Sequence, residues 1–408
     1  MTAQKPSGYT LSRRQLLATL GGAASAQLAS PLWAQSDPAW SAIEAKARGQ
    51  TVYFNAWAGS ERINAYLQWA GAEMQRVFGI KVEHVKITDT AEVVKRVRAE
   101  KGAGKTDGTV DLVWINGENF LAMKREAMLF GPFAENLPNF HYVDVVGKPT
   151  TRIDFSEPVD GMEAPWGMAQ LTFYADRKRV PAPPRSMAAM LDFARANPGR
   201  LTYPRPPTFL GTTFVKQALV DLSPDRSALY KNFTPQAMAT AAAPLWTYLD
   251  ALHPQLWRAG KQFPLNGPAI RQMMSDGELL LGLTFNPNEA ANEIAGKRLV
   301  DSVYSYQLTG GSIGNTHFLA IPFNASAREA AQVLANFLLS PLAQARKADI
   351  AQWGDPTVLA MEKLPAGERA RFAALPLPGQ VELTMPTIAE PHGSWVDPLE
   401  KEWLRRYG

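Results

Sequence analysis

Cysteine is missing from the whole 408-residue chain. Disulfides are thereby excluded, as are a thiolate nucleophile or metal ligand and a lipid-modified cysteine at an export junction. Histidine is scarce as well: five residues, scattered, with no His-Glu-x-x-His or comparable metal spacing. No Gly-x-Ser-x-Gly elbow joins a strand to a helix and no Walker motif occurs, so catalysis has no supporting constellation. Charge of one sign is also in short supply. Lys and Arg number 42 against 38 Asp and Glu, and no basic stripe points to nucleic acid. The apolar stretch after Leu16 is interrupted by Gly21, Gly22 and Pro31. It is a poor membrane anchor, which needs about 20 consecutive apolar residues.

What is present is a globular composition, 46% hydrophobic and 20% charged, in a chain long enough for two domains with cores of their own. Ser12-Arg13-Arg14-Gln15-Leu16-Leu17 is a twin-arginine pattern. A Gly- and Ala-rich stretch follows, then Leu32-Trp33-Ala34, whose small last residue suits cleavage before Gln35. Residues 1–34 are therefore expected to be an export signal that delivers a soluble protein to the periplasm. Without Lys5, Arg13 and Arg14 the net charge falls from +4 to about +1.

The mature chain opens with a helix from Trp40 and a strand at Thr51–Phe54 that ends in the loop Asn55–Ser60. Ile63, Leu67, Ala70, Met74, Val77 and Phe78 then recur at helical spacing, with Ser60 as N-cap. Ile80–Val85 alternates as a strand, Asp89 and Glu92 resemble a capping box, and Val110–Ile115 is a compact apolar strand. That last strand switches abruptly to Asn116-Gly117-Glu118-Asn119 and runs into a helix through Phe120, Leu121 and Met123. The order β-α-β-α-β predicts a parallel, doubly wound sheet with strand order 2-1-3. The loops after the first and third strands would then face one crevice.

Further along, Gln170–Ala175 reads as a strand. Gly211-Thr212-Thr213 stands before a helix from Phe214 to Leu222, where backbone amides can take an anionic group. Leu279–Phe285 is a buried strand that empties into Asn286-Pro287-Asn288-Glu289, a second strand–polar loop–helix junction. Tyr304 and Tyr306 share one side of a strand, but no accompanying His and carboxylate spacing supports ferric iron. A further strand, His317–Pro322, follows Gly310–Thr316, and Ala327–Leu339 is a strongly periodic helix. The region beyond about 350 is punctuated by proline and expected to pack as short helices.

An export signal, an N-terminal α/β lobe, a crossing near Pro165–Tyr174, a second lobe and a return near Gly311–Pro322 occur in that order. They precede Ala-x-x-Ala-Ala-x-Val-Leu-Ala-Asn-Phe-Leu-Leu-Ser-Pro at Ala327–Pro341. This organisation resembles a periplasmic solute-binding protein of an ABC importer, in the group of maltose-, polyamine-, thiamine- and ferric-binding proteins. The Trp-Ile-Asn-Gly-Glu-Asn-Phe run at Trp114–Phe120 and the Trp166-Gly167 junction are similar to the YnjB-like branch of that group. The resemblance implies an α/β, two-lobed periplasmic-binding-protein fold, each lobe a doubly wound sheet flanked by helices, joined by crossover hinge segments. Residues 35–166 with 316–345 would form the first lobe, 167–315 the second, and 346–408 helices packing on both. It also implies that the two lobes close on a small-molecule solute, which a monomer delivers to an ABC permease driven by a separate ATPase.

Trp57, Trp114 and Trp166 are the candidate aromatic platforms for such a solute, suited to stacking on a sugar or holding an organic cation. Glu118 and Glu289, one per lobe, are a candidate carboxylate pair for a cation. Neutral contacts are expected from Ser60, Asn116, Asn119, Tyr203, Thr212, Asn286, Asn288 and Asn315. No cofactor is expected. The aromatics and the two carboxylates favour an amine of polyamine-like or thiamine-like kind. A carbohydrate is the alternative, and an exported hydrolase with a Trp-lined cleft or a ligand-sensing module are the rivals from other classes.

Overall fold

The computed structural model describes residues 2, 38–373, 378–380 and 385–408. The expected export signal, except for residue 2, lies outside them. The described residues form eleven strands: β1 Thr51–Trp57, β2 Lys81–Ile87, β3 Leu112–Ile115, β4 Ile153–Asp154, β5 Glu157–Pro158, β6 Glu163–Gln170, β7 Thr172–Asp176, β8 Leu281–Thr284, β9 Val303–Tyr306, β10 Ser312–Ala320 and β11 Thr387–Ile388. No helix among the described residues is long and apolar enough to cross a membrane.

The first lobe is built on a six-stranded mixed sheet of order β11-β10-β3-β1-β2, with β6 paired to β10. β2, β1 and β3 run parallel in the expected order, so β1 and β3 are neighbours with their carboxyl ends on one edge. The helix Glu61–Phe78 buries Ile63, Tyr66, Leu67, Ala70 and Met74 against this sheet. It stops at Gly79, whose left-handed backbone returns an N–H to the last turn. Asp111, just before β3, fixes the sheet to the helix Arg328–Leu338 by accepting from the N–H groups of Tyr53 and Ala327.

The second lobe carries a three-stranded sheet of order β8-β7-β9, antiparallel throughout. This differs from the parallel arrangement expected. β6 and β7 are separated by Leu171 alone, so the chain passes from the first sheet straight into the middle of the second. The strands that flank β7 arrive from the opposite direction after long helical excursions. Helix Phe209–Leu222 contributes Phe214, Val215, Leu219 and Val220 to the core here. It begins before Gly211-Thr212-Thr213, not after it as expected. Gly211 is pressed so closely on the Pro204 carbonyl that a Cβ would collide with it. The region beyond residue 385 serves both lobes. β11 extends the large sheet, and Trp395 at the N-cap of the helix Val396–Tyr407 joins that helix's Leu399 and Trp403 in the core of the second lobe.

β10 links the two halves. Its start places Ile313 in the core of the second lobe, and its end places Leu319 in that of the first. The Gly310–Gly314 run spells Gly-x-Ser-x-Gly, but it leads into a strand. Ser312 is buried and its hydroxyl accepts from Leu308 N–H, so no nucleophile is presented.

Candidate functional site

Helix Gly117–Arg125 starts where β3 ends, and its first residue has a left-handed backbone with φ +62°. A side chain there would strike the ring of Phe155, so glycine is required. Asn116 stands at the N-cap position without making a side-chain cap bond. The Gly117 N–H donates instead to Asp154 Oδ2 at 2.5 Å, from the β4–β5 hairpin. Glu118 is thereby set facing the second lobe, with Asn119 Nδ2 donating to its Oε1 at 3.3 Å.

From the opposite side, helix Phe209–Leu222 projects Thr212 and Lys216, four residues apart and thus on one face. Lys216 Nζ lies 2.8 Å from Glu390 Oε2, with the two side chains only 2% and 1% exposed. The ammonium also stands 4.1 Å from the ring centre of Phe155 and 5.7 Å from that of Phe209. Asn315 Nδ2 donates to Glu390 Oε1 at 3.2 Å, and Thr212 Oγ1 donates to Glu400 Oε1 at 2.6 Å. Glu118, Asp154, Glu390 and Glu400 therefore converge on one lysine.

The electrostatic consequence is visible in each carboxyl group. Burial pushes Glu118 up, and Lys216 only partly offsets it against the further repulsion of Asp89 and Glu390. Glu390 is raised by burial despite Lys216 and Asn315. Asp154 is driven well above its ordinary range by burial and by Glu118 and Glu390. Its neighbour Glu163 follows, raised by burial and then by Asp154, with neither of its oxygens bonded. Glu400 is pushed up to about 7 by burial and by Glu118, even though Thr212 donates to it. The site holds more acid than its own cation neutralises.

A pH dependence follows. The folded state raises the Glu400 carboxyl from 4.5 to about 7, so it prefers the protonated form. That contribution to stability is complete below about 4.5 and lost as pH rises through about 7. Urea unfolding of the solute-free protein is expected to show stability falling across this window, with Glu400→Gln flattening the slope. An unchanged slope in that variant would remove Glu400 as its source.

Along β10, Asn315 and His317 are two residues apart and share a face. The acidic cluster is therefore continuous with an aromatic one. The half-buried ring of Trp114 meets Trp166 at 5.1 Å, His317 at 4.9 Å and Trp353 at 5.8 Å. His317 Nε2 is 3.1 Å from Asp355 Oδ1, and Lys347 Nζ is 2.6 Å from Asp355 Oδ2. Burial alone would raise Asp355, but Lys347 and His317 together hold it below its usual value.

The remaining expected contacts divide. Trp57 is 37% exposed at the end of β1. Ser60 is the N-cap of helix Glu61–Phe78 without a side-chain cap bond. Trp166 is a correction. It is fully buried, edge-on to Phe54 and tilted against Tyr66, because β6 directs it into the core of the first lobe. Tyr203 is another: it is fully buried, stacked on Phe214, and its hydroxyl is taken by His253 Nε2 at 2.7 Å and Trp403 Nε1 at 2.8 Å. Thr212 lies within a helix and is engaged with Glu400, so no helix start stands there, either to take an anion or to open the helix at Phe214.

Glu118 and Glu289 do not form a pair. Glu289 is neutralised by Arg271 at 3.2 Å and bonded by Thr284, while Glu118 answers to Lys216. Asn288 joins the lobes to each other: its Nδ2 donates to Gly354 O at 2.6 Å, and its N–H is held by Asn286 Oδ1. Asn292 Nδ2 donates to Trp353 O, while Arg62 reaches both Ala351 O and Asn292 O.

Lys216, His317, Glu390 and Glu400 stand out in no sequence motif, and Asp355, which with Asp349 flanks Trp353 as a candidate surface cluster in the sequence, is instead buried. Lys216 leaves one signal, a charge inside the apolar run Phe214–Val220. His317, Glu390 and Glu400 leave none, since chain folding alone brings residues 390 and 400 beside 118. Two surface hollows, about 260 Å³ beside Asp176 and Arg179 and about 650 Å³ beside Trp69 and Arg346, contain no residue of this crevice. Among the described residues, no group of three or more His, Asp and Glu is placed to hold a metal ion.

Comparison with known proteins agrees with this architecture. Residues 68–366 match the family model for bacterial extracellular solute-binding proteins. Protein YnjB of Escherichia coli (strain K12) is 50% identical over 370 residues, covering 90% of this chain and 94% of that protein. The substrate-binding protein PotD of a spermidine/putrescine ABC transporter from Streptococcus pneumoniae superposes with a TM-score of 0.60 at 14% identity, covering 88% of this chain and 98% of the other. The periplasmic binding protein AfuA from Actinobacillus pleuropneumoniae, solved with fructose-6-phosphate, gives 0.61 at 14% identity, covering 88% and 98%. At these identities the two structures speak to the two-lobed fold alone. The family match and the extended identity show more: the chain belongs to the bacterial extracellular solute-binding protein family, as a solute-binding protein and not an enzyme.

Proposed function

We propose that this protein captures a small organic cation between its lobes in the periplasm and delivers it, as a monomer, to an ABC permease driven by a separate ATPase. One observation supports the class of solute above all others: Glu118, Asp154, Glu390 and Glu400 surround a single Lys216. Buried carboxyl groups held up from their ordinary range are relieved by an added positive charge. The site is thus prepared for a cation before one arrives. Crevice-facing contacts would come from Glu118, Asn119 and Asn315, with Trp57 and Trp114 as aromatic faces. The lobes would divide at hinge segments Gln170–Leu171 and Gln307–Gly311. Signal cleavage is placed near Ala34.

A polyhydroxylated solute is the second reading, favoured by the exposed rings of Trp57 and Phe209. A thermal-shift series on residues 35–408 separates the two. A cation present at about 100 times its dissociation constant adds about 2.7 kcal/mol of stability. Amines are expected to shift the melting temperature and neutral sugars are not. Glu118→Gln is expected to weaken a bound amine by about tenfold or more, consistent with 1.5–3 kcal/mol for a hydrogen bond to a charged group. A shift with a sugar and none with any amine sinks the cation reading.

A further inference from the structure

The place of the Lys216 ammonium is itself an amine site. It has a buried carboxylate at 2.8 Å and the buried ring of Phe155 at 4.1 Å, with the partly exposed ring of Phe209 at 5.7 Å. These are the elements that recognise a free alkylammonium: charge neutralisation, a ring face and desolvation. The side chain beyond Cα is, chemically, a tethered butylamine. Asn315 completes the arrangement by occupying the other oxygen of Glu390 at 3.2 Å. Glu118 and Glu400, by contrast, have no cation of their own bonded to them; their partners are Asn119 and Thr212.

We propose that Lys216 is a specificity-determining residue: it fills one of two cation positions in the crevice with the protein's own ammonium, leaving Glu118 and Glu400 to receive a solute that carries a single positive charge. This rests on the cation reading above and narrows it. A diamine entering the crevice finds its second position already taken, so its second ammonium is desolvated without a partner. The glutamate that would have received it is Glu390.

The test compares butylamine with 1,4-diaminobutane by calorimetry on the wild type, Lys216→Ala and Lys216→Arg. Wild type is expected to bind the diamine no more tightly than the monoamine. Lys216→Ala vacates the position and exposes Glu390 to solute, and it is expected to gain about tenfold for the diamine. Its gain for butylamine should be clearly smaller than its gain for the diamine, and Lys216→Arg should keep the wild-type pattern. A folded Lys216→Ala protein without the diamine gain, or with an equal gain for both amines, overturns the inference while leaving the cation reading intact. So does a wild type that prefers the diamine by about tenfold, a result that needs no variant to fold. If no form binds either amine, the cation reading fails and the role of Lys216 falls with it.

Discussion

Asp355→Ala is expected to destabilise the protein by about 3–5 kcal/mol, because it strands the buried ammonium of Lys347. Lys347 is fully buried and its Nζ is 2.6 Å from Asp355 Oδ2. The ammonium also lies 5.4 Å and 5.5 Å from the ring centres of Trp166 and Trp353, faces that soften the loss of its carboxylate without replacing it. Space cannot be found by moving, since a Cβ at Gly167 would already collide with both members of the pair. The two partners do not report the same balance. Asp355 is held below its ordinary value, whereas burial draws Lys347 below its own. Both oxygens of Asp355 are engaged, by His317 and Lys347, and the ion pair is the native state. The pair is then costly to break and not costly to replace. Lys347→Met with Asp355→Leu should cost far less than Asp355→Ala alone. Urea unfolding measures all three, and a loss below about 1 kcal/mol for Asp355→Ala would show that the pair is dispensable.

Trp166→Ala is expected to cost about 3–5 kcal/mol, the range for removing a large aromatic from a core. The indole is enclosed by Phe54, Tyr66, Trp114 and Trp353, with ring centres 5.1–6.4 Å away. Trp57→Ala serves as the contrast. That ring is 37% exposed, so the expected loss is below about 1 kcal/mol. Thermal and urea unfolding of the two variants should differ accordingly, and equal losses would contradict the placement of Trp166. Its effect is not additive with that of Asp355→Ala, because Lys347 touches both neighbourhoods.

These two sites also show what was readable in the sequence. The strands β1, β2 and β3 and their order followed from periodicity and from the βαβ rule, which are local signals with one strongly preferred solution. The junction at Asn116–Asn119 was found for the same reason. Trp166 was misread because alternation in β6 does not say which face meets the core: Glu163 to Gly167 are all buried. Tyr203 and Asn288 were misread because their partners, Trp403 and Gly354, lie 200 and 66 residues away. The antiparallel second sheet was hidden for a related reason, since β8 and β9 meet β7 only after the helical excursions have folded. Glu400 lies in the helix Val396–Tyr407 and Glu390 before it, and no short-range pattern announces their meeting with Glu118.

The passage of β10 from one core to the other bears on how the molecule acquires its structure. The first lobe needs β1–β3, the end of β10 and the helix Arg328–Leu338. The second needs β7–β9, the start of β10 and the helix Val396–Tyr407. Their sequence segments interleave, so an emerging chain cannot complete either lobe until well over three hundred residues are available. Ring closures of that length carry a high entropic cost before any contact rewards them. Folding is accordingly set to be late and slow, and each nascent chain spends that interval with both of its hydrophobic cores open to whatever chaperones are at hand.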